Sequence, residues 1–354
     1  MRPRNNRIMF SLAAFIFLGV GALLFYRRYS AKRSSMATRP GGFLFKIGYF
    51  LYTRTRLGYM YHLKNLTKMR QKFPEGHSVV TPVEFQGLKI CPIPLLEDNY
   101  SYVLIDTTDS VAVVVDPSDA EAVQNFLTEE NVKLLGILTT HKHWDHSGGN
   151  STIKSRHRNI PVYGSSSDSI PGLTHPVSDE DRIQIGNFNF TVKFTPGHTR
   201  GHSVYILDGT PYSAPDSLFS GDLLFIGGSG RMFEGSPLTM LRSLDTVCHL
   251  RDDTLVWPGH EYARDDLKFA MTVEPDNISL QNKLKWVEDK RKERLMTCPS
   301  TIGEEKLYNP FLRTSEGKIQ QNMGVKIEKD DSEKIRTATL AAVRQSKDSH
   351  SYRL

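Results

Sequence analysis

The run Thr140-His141-Lys142-His143-Trp144-Asp145-His146 constrains this chain more than any other stretch. Four side chains able to bind a metal fall within six residues. They follow the apolar segment Leu134 to Thr139 and precede Ser147-Gly148-Gly149-Asn150. The apolar segment reads as a buried strand ending in a polar loop. Neutral imidazole and carboxylate are good ligands for zinc and its first-row neighbours, and a strand ending in such a loop can aim several of them at one point. An exposed polar turn has no need of three of the chain's twelve histidines.

Three later segments end in the same way. Phe194-Thr195-Pro196-Gly197 leads to His198, Leu218-Phe219-Ser220-Gly221 to Asp222, and Leu255-Val256-Trp257-Pro258-Gly259 to His260. Each alone is a weak signal. Together with the first cluster they make seven candidate ligands, five His and two Asp. That number suffices for two metals with a shared carboxylate and a bridging water. Ligands at the strand ends of one sheet edge sit on a rigid frame and stay open to substrate.

The surrounding pattern is mixed α/β. Val103-Leu104-Ile105 and Val111 to Val115 read as buried strands, and Ala120 to Glu129 as a helix. Phe188, Phe190, Val192 and Phe194 alternate with Asn189, Thr191 and Lys193, the period of a half-buried strand. After His260, helical spacing dominates, as in Leu280 to Leu295, and Thr301-Ile302-Gly303-Glu304 fits a capping box. Residues 314–334 are polar and read as a loop. Cys91, Cys248 and Cys298 form no pair motif, which argues for a reducing compartment and against a disulfide framework.

Charge divides the chain. Residues 1–74 hold 15 of the 45 Lys and Arg and no acid, so the remainder carries 30 bases against 39 acids, a net of −9. An acidic body argues against nucleic-acid binding. Residues 8–26 are uncharged and apolar, long enough as a helix to cross a bilayer. Arg2, Arg4 and Arg7 precede them, and Arg27, Arg28, Lys32, Arg33 and Arg39 follow. Residues 1–40 are therefore expected to be a single-pass membrane anchor, with the heavier basic flank favouring a cytosolic body. A mitochondrial targeting segment is the alternative, since such segments are also Arg-rich and acid-poor. Residues 41–80 mix rings and cations, Phe43, Phe45, Tyr49, Phe50, Tyr52, Tyr59 and Tyr61 among Lys46, Arg54, Arg56 and Lys64. They are expected to lie along the membrane surface, or else to pack their rings on the body. The expected organisation is completed by a mixed α/β domain over 81–262 that carries the candidate ligands and a helical domain over 263–354.

The motifs Thr140-His141-Lys142-His143-Trp144-Asp145-His146, Thr195-Pro196-Gly197-His198-Thr199, Ser220-Gly221-Asp222 and Pro258-Gly259-His260-Glu261-Tyr262 resemble those of the metallo-β-lactamase superfamily, and within it the glyoxalase II hydrolases. The resemblance runs through Asn309-Pro310-Phe311-Leu312-Arg313 and covers about residues 85–350. It implies an αββα sandwich followed by a helical C-terminal domain. It implies two divalent metals, zinc in the first place and iron or manganese otherwise. His141, His143 and His198 would hold one metal, Asp145, His146 and His260 the other, with Asp222 bridging. Asp145 would also orient the nucleophile, and Asp116 and His202 would hold ligands in place. The implied substrate is a small thioester, an S-acylglutathione such as S-lactoylglutathione. Its contacts would map to Arg231, Phe233, Tyr262, Arg344 and Lys347. Arg231 and Phe233 stand where the family has Lys and Tyr, which changes the geometry of one contact and removes a hydroxyl from the other.

Two other functions are compatible with parts of this pattern. A persulfide dioxygenase of the same superfamily needs one iron held by two His and one Asp, and would leave His260 without a purpose. A membrane-tethered scaffold or regulator with weak activity would account for the basic arm and for the changed Arg231 and Phe233. The sequence names no protein partner.

Overall fold

The computed structural model describes residues 43–326 and 331–350. Two sheets pack face to face. The first runs in sequence order through β1 (Val83–Phe85), β2 (Leu88–Leu95), β3 (Asn99–Asp106), β4 (Val111–Val115), β5 (Lys133–Leu138), β6 (Val162–Ser165) and β7 (His175–Val177). Pairing is antiparallel from β1 to β4 and parallel from β4 to β7. The second sheet takes β8 (Arg182–Ile185), β9 (Phe188–Phe194), β10 (Ser203–Leu207) and β11 (Ser217–Gly221). After the small hairpin β12 (Leu224–Phe225) and β13 (Gly228–Ser229), it adds β14 (Leu255–Pro258) and β15 (Ser300–Thr301). Its order is β15-β14-β11-β10-β9-β8.

The side-chain pattern explains the layering. Along β9, Phe188, Phe190 and Val192 turn inward while Asn189 is exposed, the alternation of a strand with one buried face. They join Tyr205, Phe219 and Trp257 of the same sheet and Leu104, Val113 and Leu138 of the other in one core between the sheets. Strand β3 is buried on both faces, because α3 (Ala120–Glu129) covers the outside of the first sheet through Val123 and Leu127. Asp119 caps that helix by accepting the N–H groups of Glu121 and Ala122. Two short helices, α4 (Trp144–Ser147) and α5 (Asn150–Arg156), follow β5.

The second sheet is covered by α6 (Pro237–Cys248), α7 (Ala263–Val273) and α11 (Ser332–His350), through Met240, Leu244, Phe269, Leu340 and Val343. Between α7 and α11 lie α8 (Ile278–Lys292), α9 (Ile302–Tyr308) and α10 (Gly317–Asn322). The result is the expected αββα sandwich with a helical C-terminal region. The capping box forms as read: Thr301 accepts the N–H of Glu304, and the Glu304 carboxylate accepts the N–H of Thr301. The cysteines are free.

One stretch differs from expectation, and another takes the second of the two arrangements expected of it. Helix α10 lies inside 314–334, read as a loop; Ile319 is its one buried apolar residue, beside the buried Gln320, too little to set a period in a polar stretch. The segment 41–80 does not stand apart from the body. It contributes α1 (Phe43–Arg54) and α2 (Arg56–Lys72), which pack against the first sheet's helices. Trp144 donates its indole N–H to Tyr52 O at 2.6 Å, His62 Nε2 donates to Ser118 O at 3.0 Å, and Arg70 pairs with Asp119. Leu66 and Met69 are buried with Leu96. The turn between the helices is tight enough that a Cβ on Gly58 would lie 1.8 Å from Tyr52 O. The physical reason is that α2 has a buried stripe, Gly58, His62, Leu66 and Met69, at helical spacing. The opposite face of α2 stays exposed and carries Leu57, Met60 and Leu63, and Phe50 of α1 is exposed as well. The candidate span 8–26 lies outside the described residues, and no helix among the described residues is long and apolar enough to cross a membrane.

Candidate metal centre

All seven candidate ligands meet at one edge of the sandwich. β5 ends at the loop that carries His141 and His143 and opens into α4 with Asp145 and His146. β9, β11 and β14 run in the same direction, since β10 is antiparallel to both β9 and β11 and β14 is parallel to β11. Their C-terminal ends therefore present His198, Asp222 and His260 side by side. Ligand atoms of His141, His143 and His198 lie within 4.8 Å of one another, as do those of His141, His146 and Asp222, and those of Asp145, His146 and His260.

Hydrogen bonds fix which nitrogen of each ring faces inward. His146 Nδ1 donates to Asp116 Oδ2 at 2.9 Å, His260 Nδ1 to Asp98 Oδ1 at 2.8 Å and His198 Nδ1 to Arg231 O at 2.9 Å. Thr140 Oγ1 donates to Asp116 Oδ2 at 2.7 Å, so it accepts from His141 Nδ1 at 3.0 Å. When neutral, each of these four rings turns the lone pair of Nε2 into the site. The carboxylate and carbonyl partners are the arrangement that orients imidazole toward a metal and raises its basicity.

The inward atoms stand close enough that a proton or a metal ion must lie between them. His141 Nε2 and His198 Nε2 each lie 2.9 Å from His143 Nδ1. Asp222 Oδ1 is buried without a hydrogen-bond partner among the described residues, although Nε2 of His146 and of His260 both lie 3.3 Å away. Asp222 Oδ2 lies 3.3 Å from His198 Nε2. Lone pairs converging on a buried carboxylate repel unless positive charge, a proton or a metal, sits among them, and a set of five imidazoles and two carboxylates would hold two divalent metals. In the absence of metal, protons take this place on two of the rings: burial opposes charge on His146, yet Asp222 and Asp116 hold it well above the ordinary range. Burial and the neighbouring imidazoles hold His141 and His143 well below the ordinary range. Burial opposes charge on His260 as well, yet Asp222 and Asp98 hold it up at about 10. Cationic neighbours keep Asp222 ionised despite its burial.

Close approach at this edge requires glycine at 259, where a Cβ would lie 2.7 Å from His146 Cε1 and 2.8 Å from Asp222 Oδ1. Asp116 adopts φ 51°, an unusual backbone for a non-glycine residue. Its side chain accepts from His146, Thr140 Oγ1 and the Thr140 N–H at once. His202 is kept neutral by burial, down at about 3, so its Nε2 accepts the Asp222 N–H at 3.1 Å.

The residues expected at the substrate side are more dispersed. Tyr262 lies flat on His260, with ring centroids 4.6 Å apart. Phe233 meets His198 and His143 edge-on at 5.2 and 5.7 Å. Arg344 donates to Ser229 O at 2.9 Å and pairs with Asp348, which also pairs with Arg231; Lys347 pairs with Asp266. The three cations thus share two carboxylates inside the chain. Asp98, Asn99 and Glu234 carry no signal in the sequence, and Thr140 and Tyr49 stand out there only as part of a motif and as one ring of the 41–80 segment. Asn99 steadies Asp145 through its carbonyl at 3.1 Å and Oδ2 at 3.3 Å. No spacing ties Asp98, in the β2–β3 turn, and Asn99, at the start of β3, to a histidine more than 160 residues on; only the fold joins them.

Residues 96–260 match the Metallo-beta-lactamase superfamily, and residues 261–350 match the Hydroxyacylglutathione hydrolase C-terminus. A cytoplasmic hydroxyacylglutathione hydrolase of Arabidopsis thaliana is 42% identical over 251 residues, 70% of this chain and 97% of that protein. The hydroxyacylglutathione hydrolase of Thermosynechococcus vestitus is 46% identical over 231 residues, 65% of this chain and 90% of that protein. The chain belongs to the hydroxyacylglutathione hydrolase (glyoxalase II) family of the metallo-β-lactamase superfamily. It is a metal-dependent hydrolase.

Proposed function

We propose that this protein hydrolyses a thioester, an S-acylglutathione such as S-lactoylglutathione, on a dinuclear centre with zinc in both sites. The observation that carries the proposal is the complete seven-ligand set in a chain alike over nearly the full length of a hydroxyacylglutathione hydrolase. His141, His143 and His198 are assigned to one metal, Asp145, His146 and His260 to the other, and Asp222 to both. When bound, the pair would lower the pKa of a shared water from ~15.7 to about 7 and polarise the thioester carbonyl.

The remaining work falls to the chain. Asp145 is the least buried of the ligands and is steadied by Asn99, which suits it to hold the attacking water's proton and aim its lone pair. The leaving thiol has an ordinary pKa of about 8.5, so no strong general acid is required. Tyr262, beside the centre, and the cationic group Arg231, Arg344 and Lys347 suit the carboxylates of glutathione. Phe233 supplies a ring without the family's hydroxyl, and a hydrogen bond to a charged partner is worth roughly 1.5–3 kcal/mol. Affinity for glutathione thioesters is therefore expected to fall below the family's usual level. The intact second cluster of Asp145, His146 and His260 weighs against a one-iron dioxygenase. Protein loaded with zinc and given S-lactoylglutathione is expected to release glutathione. Absence of turnover in a fully loaded protein would leave the scaffold reading standing.

The N-terminal arm is assigned to membrane attachment, with 8–26 as the span and the body cytosolic. Phe50 and Met60, 59% and 63% exposed, lie on the outer face of α1 and α2 with Leu57 and Leu63. Lys46, Arg56, Lys64 and Lys68 are exposed there as well, a mixture suited to an anionic headgroup layer. Protein lacking residues 1–40 is expected to float with phosphatidylserine vesicles and to stay behind with neutral ones. No flotation with either would restrict membrane contact to the span.

A further inference from the structure

Helix α1 lies upstream of both matched regions, which begin at residue 96, yet it reaches the metal centre. Tyr49 Oη lies 2.9 Å from His143 Nε2 and donates at 3.1 Å to Glu234 Oε1. Glu234 is itself held by Lys142 Nζ at 2.6 Å and by the Arg200 N–H at 2.8 Å. The protons can be assigned around this chain. His143 Nδ1 faces Nε2 of His141 and of His198, both 2.9 Å away and both bearing lone pairs. As a ligand His143 must turn its own lone pair the same way, through Nδ1. Its proton then sits on Nε2 and is donated to Tyr49, whose hydroxyl proton goes to Glu234.

His143 would otherwise be the odd member of the set. The other four histidines are oriented by Asp116, Asp98, Thr140 or a backbone carbonyl, all within the hydrolase domain. His143 alone takes its partner from the N-terminal arm. The Tyr49 ring is fixed by stacking on Phe233, with centroids 5.2 Å apart, and Phe45 stacks on the same ring at 6.0 Å. The hydroxyl therefore cannot swing away without breaking an aromatic contact. We infer that Tyr49 is a positioning residue for the metal ligand His143, with Glu234 behind it, so that the arm completes the active site as well as tethering it. This inference rests on the reading of His143 as a metal ligand. Outer partners of metal-bound histidines typically affect affinity by 10–100-fold.

The test uses the full chain and the Tyr49→Phe variant, which keeps the ring and removes only the hydroxyl. Zinc affinity is measured by competition with a chromophoric chelator, and arm docking by the rate of tryptic cleavage at Arg54 and Arg56. The expected result is one zinc equivalent bound about 10- to 100-fold more weakly, with tryptic cleavage as slow as in the parent protein. Unchanged affinity for both equivalents would overturn the inference. So would weakened binding accompanied by rapid cleavage, which would assign the effect to undocking of the arm. Failure of the underlying reading looks different: the parent protein would bind no zinc, or His143→Ala would bind it as the parent does.

Discussion

An Asp222→Asn variant is expected to lose about 10³-fold in kcat/KM on an S-acylglutathione and to hold less metal, while remaining folded. The carboxylate faces both halves of the centre: Oδ1 toward His146 and His260, Oδ2 toward His198. An amide offers one acceptor in place of two and no charge, so it cannot serve both halves. Stabilisation of transition-state charge by bound metal is worth several kcal/mol, and each 1.36 kcal/mol is tenfold in rate; about 4 kcal/mol gives the stated loss. The fold is spared because the backbone N–H at 222 still donates to His202 and the change adds no volume. Loss of thioester absorbance gives the rate, and metal analysis of the same sample gives the occupancy. Turnover near the parent level would remove Asp222 from the mechanism.

Stripping the metals is expected to lower thermal stability by a comparable margin. The ligands are buried, and Asp222 leaves Oδ1 with no hydrogen-bond partner among the described residues. A ligand that binds only the folded chain stabilises by about 4 kcal/mol at a thousand times its Kd. At 2–4 °C per kcal/mol for a large domain, chelation is expected to lower Tm by about 8 °C or more, measured by calorimetry, and zinc to restore it. A Tm unmoved by chelation would mean that the site folds around its own side chains. Acid should act in the same direction. His202 titrates at about 3 in the folded chain, held down by burial, against about 6.5 unfolded. Between these values the unfolded chain binds more protons, so stability falls as pH drops from about 6.5 toward 3.

Individual strands, helix α3 and the ligand edge were readable in the sequence because they depend on local pattern, whereas the sandwich itself was implied by the family resemblance. Val111–Val115, Ala120–Glu129 and Phe188–Phe194 have the bounds read from apolar spacing alone. Each strand of the site ends in a conspicuous His or Asp. What stayed hidden depends on long-range packing. Asp98 meets His260 and Tyr49 meets His143 only once the chain has folded. The rings of 41–80 could face lipid or protein with equal sense. The buried stripe of α2 packs on the body, while Phe50 and Met60 remain outside. Arg344 and Lys347 sit on α11 as basic residues of a helical end, and nothing in their neighbourhood announced the ion pair of Lys347 with Asp266 on α7.

Elemental analysis of the purified full chain, titrated from the metal-free state with zinc while glutathione release is followed, tests the dinuclear hydrolase most directly. Two equivalents per chain are expected, with activity rising as the second site fills and lost in His143→Ala. A single equivalent of iron with oxygen uptake on a glutathione persulfide, or thioester turnover that survives loss of His143, would contradict it.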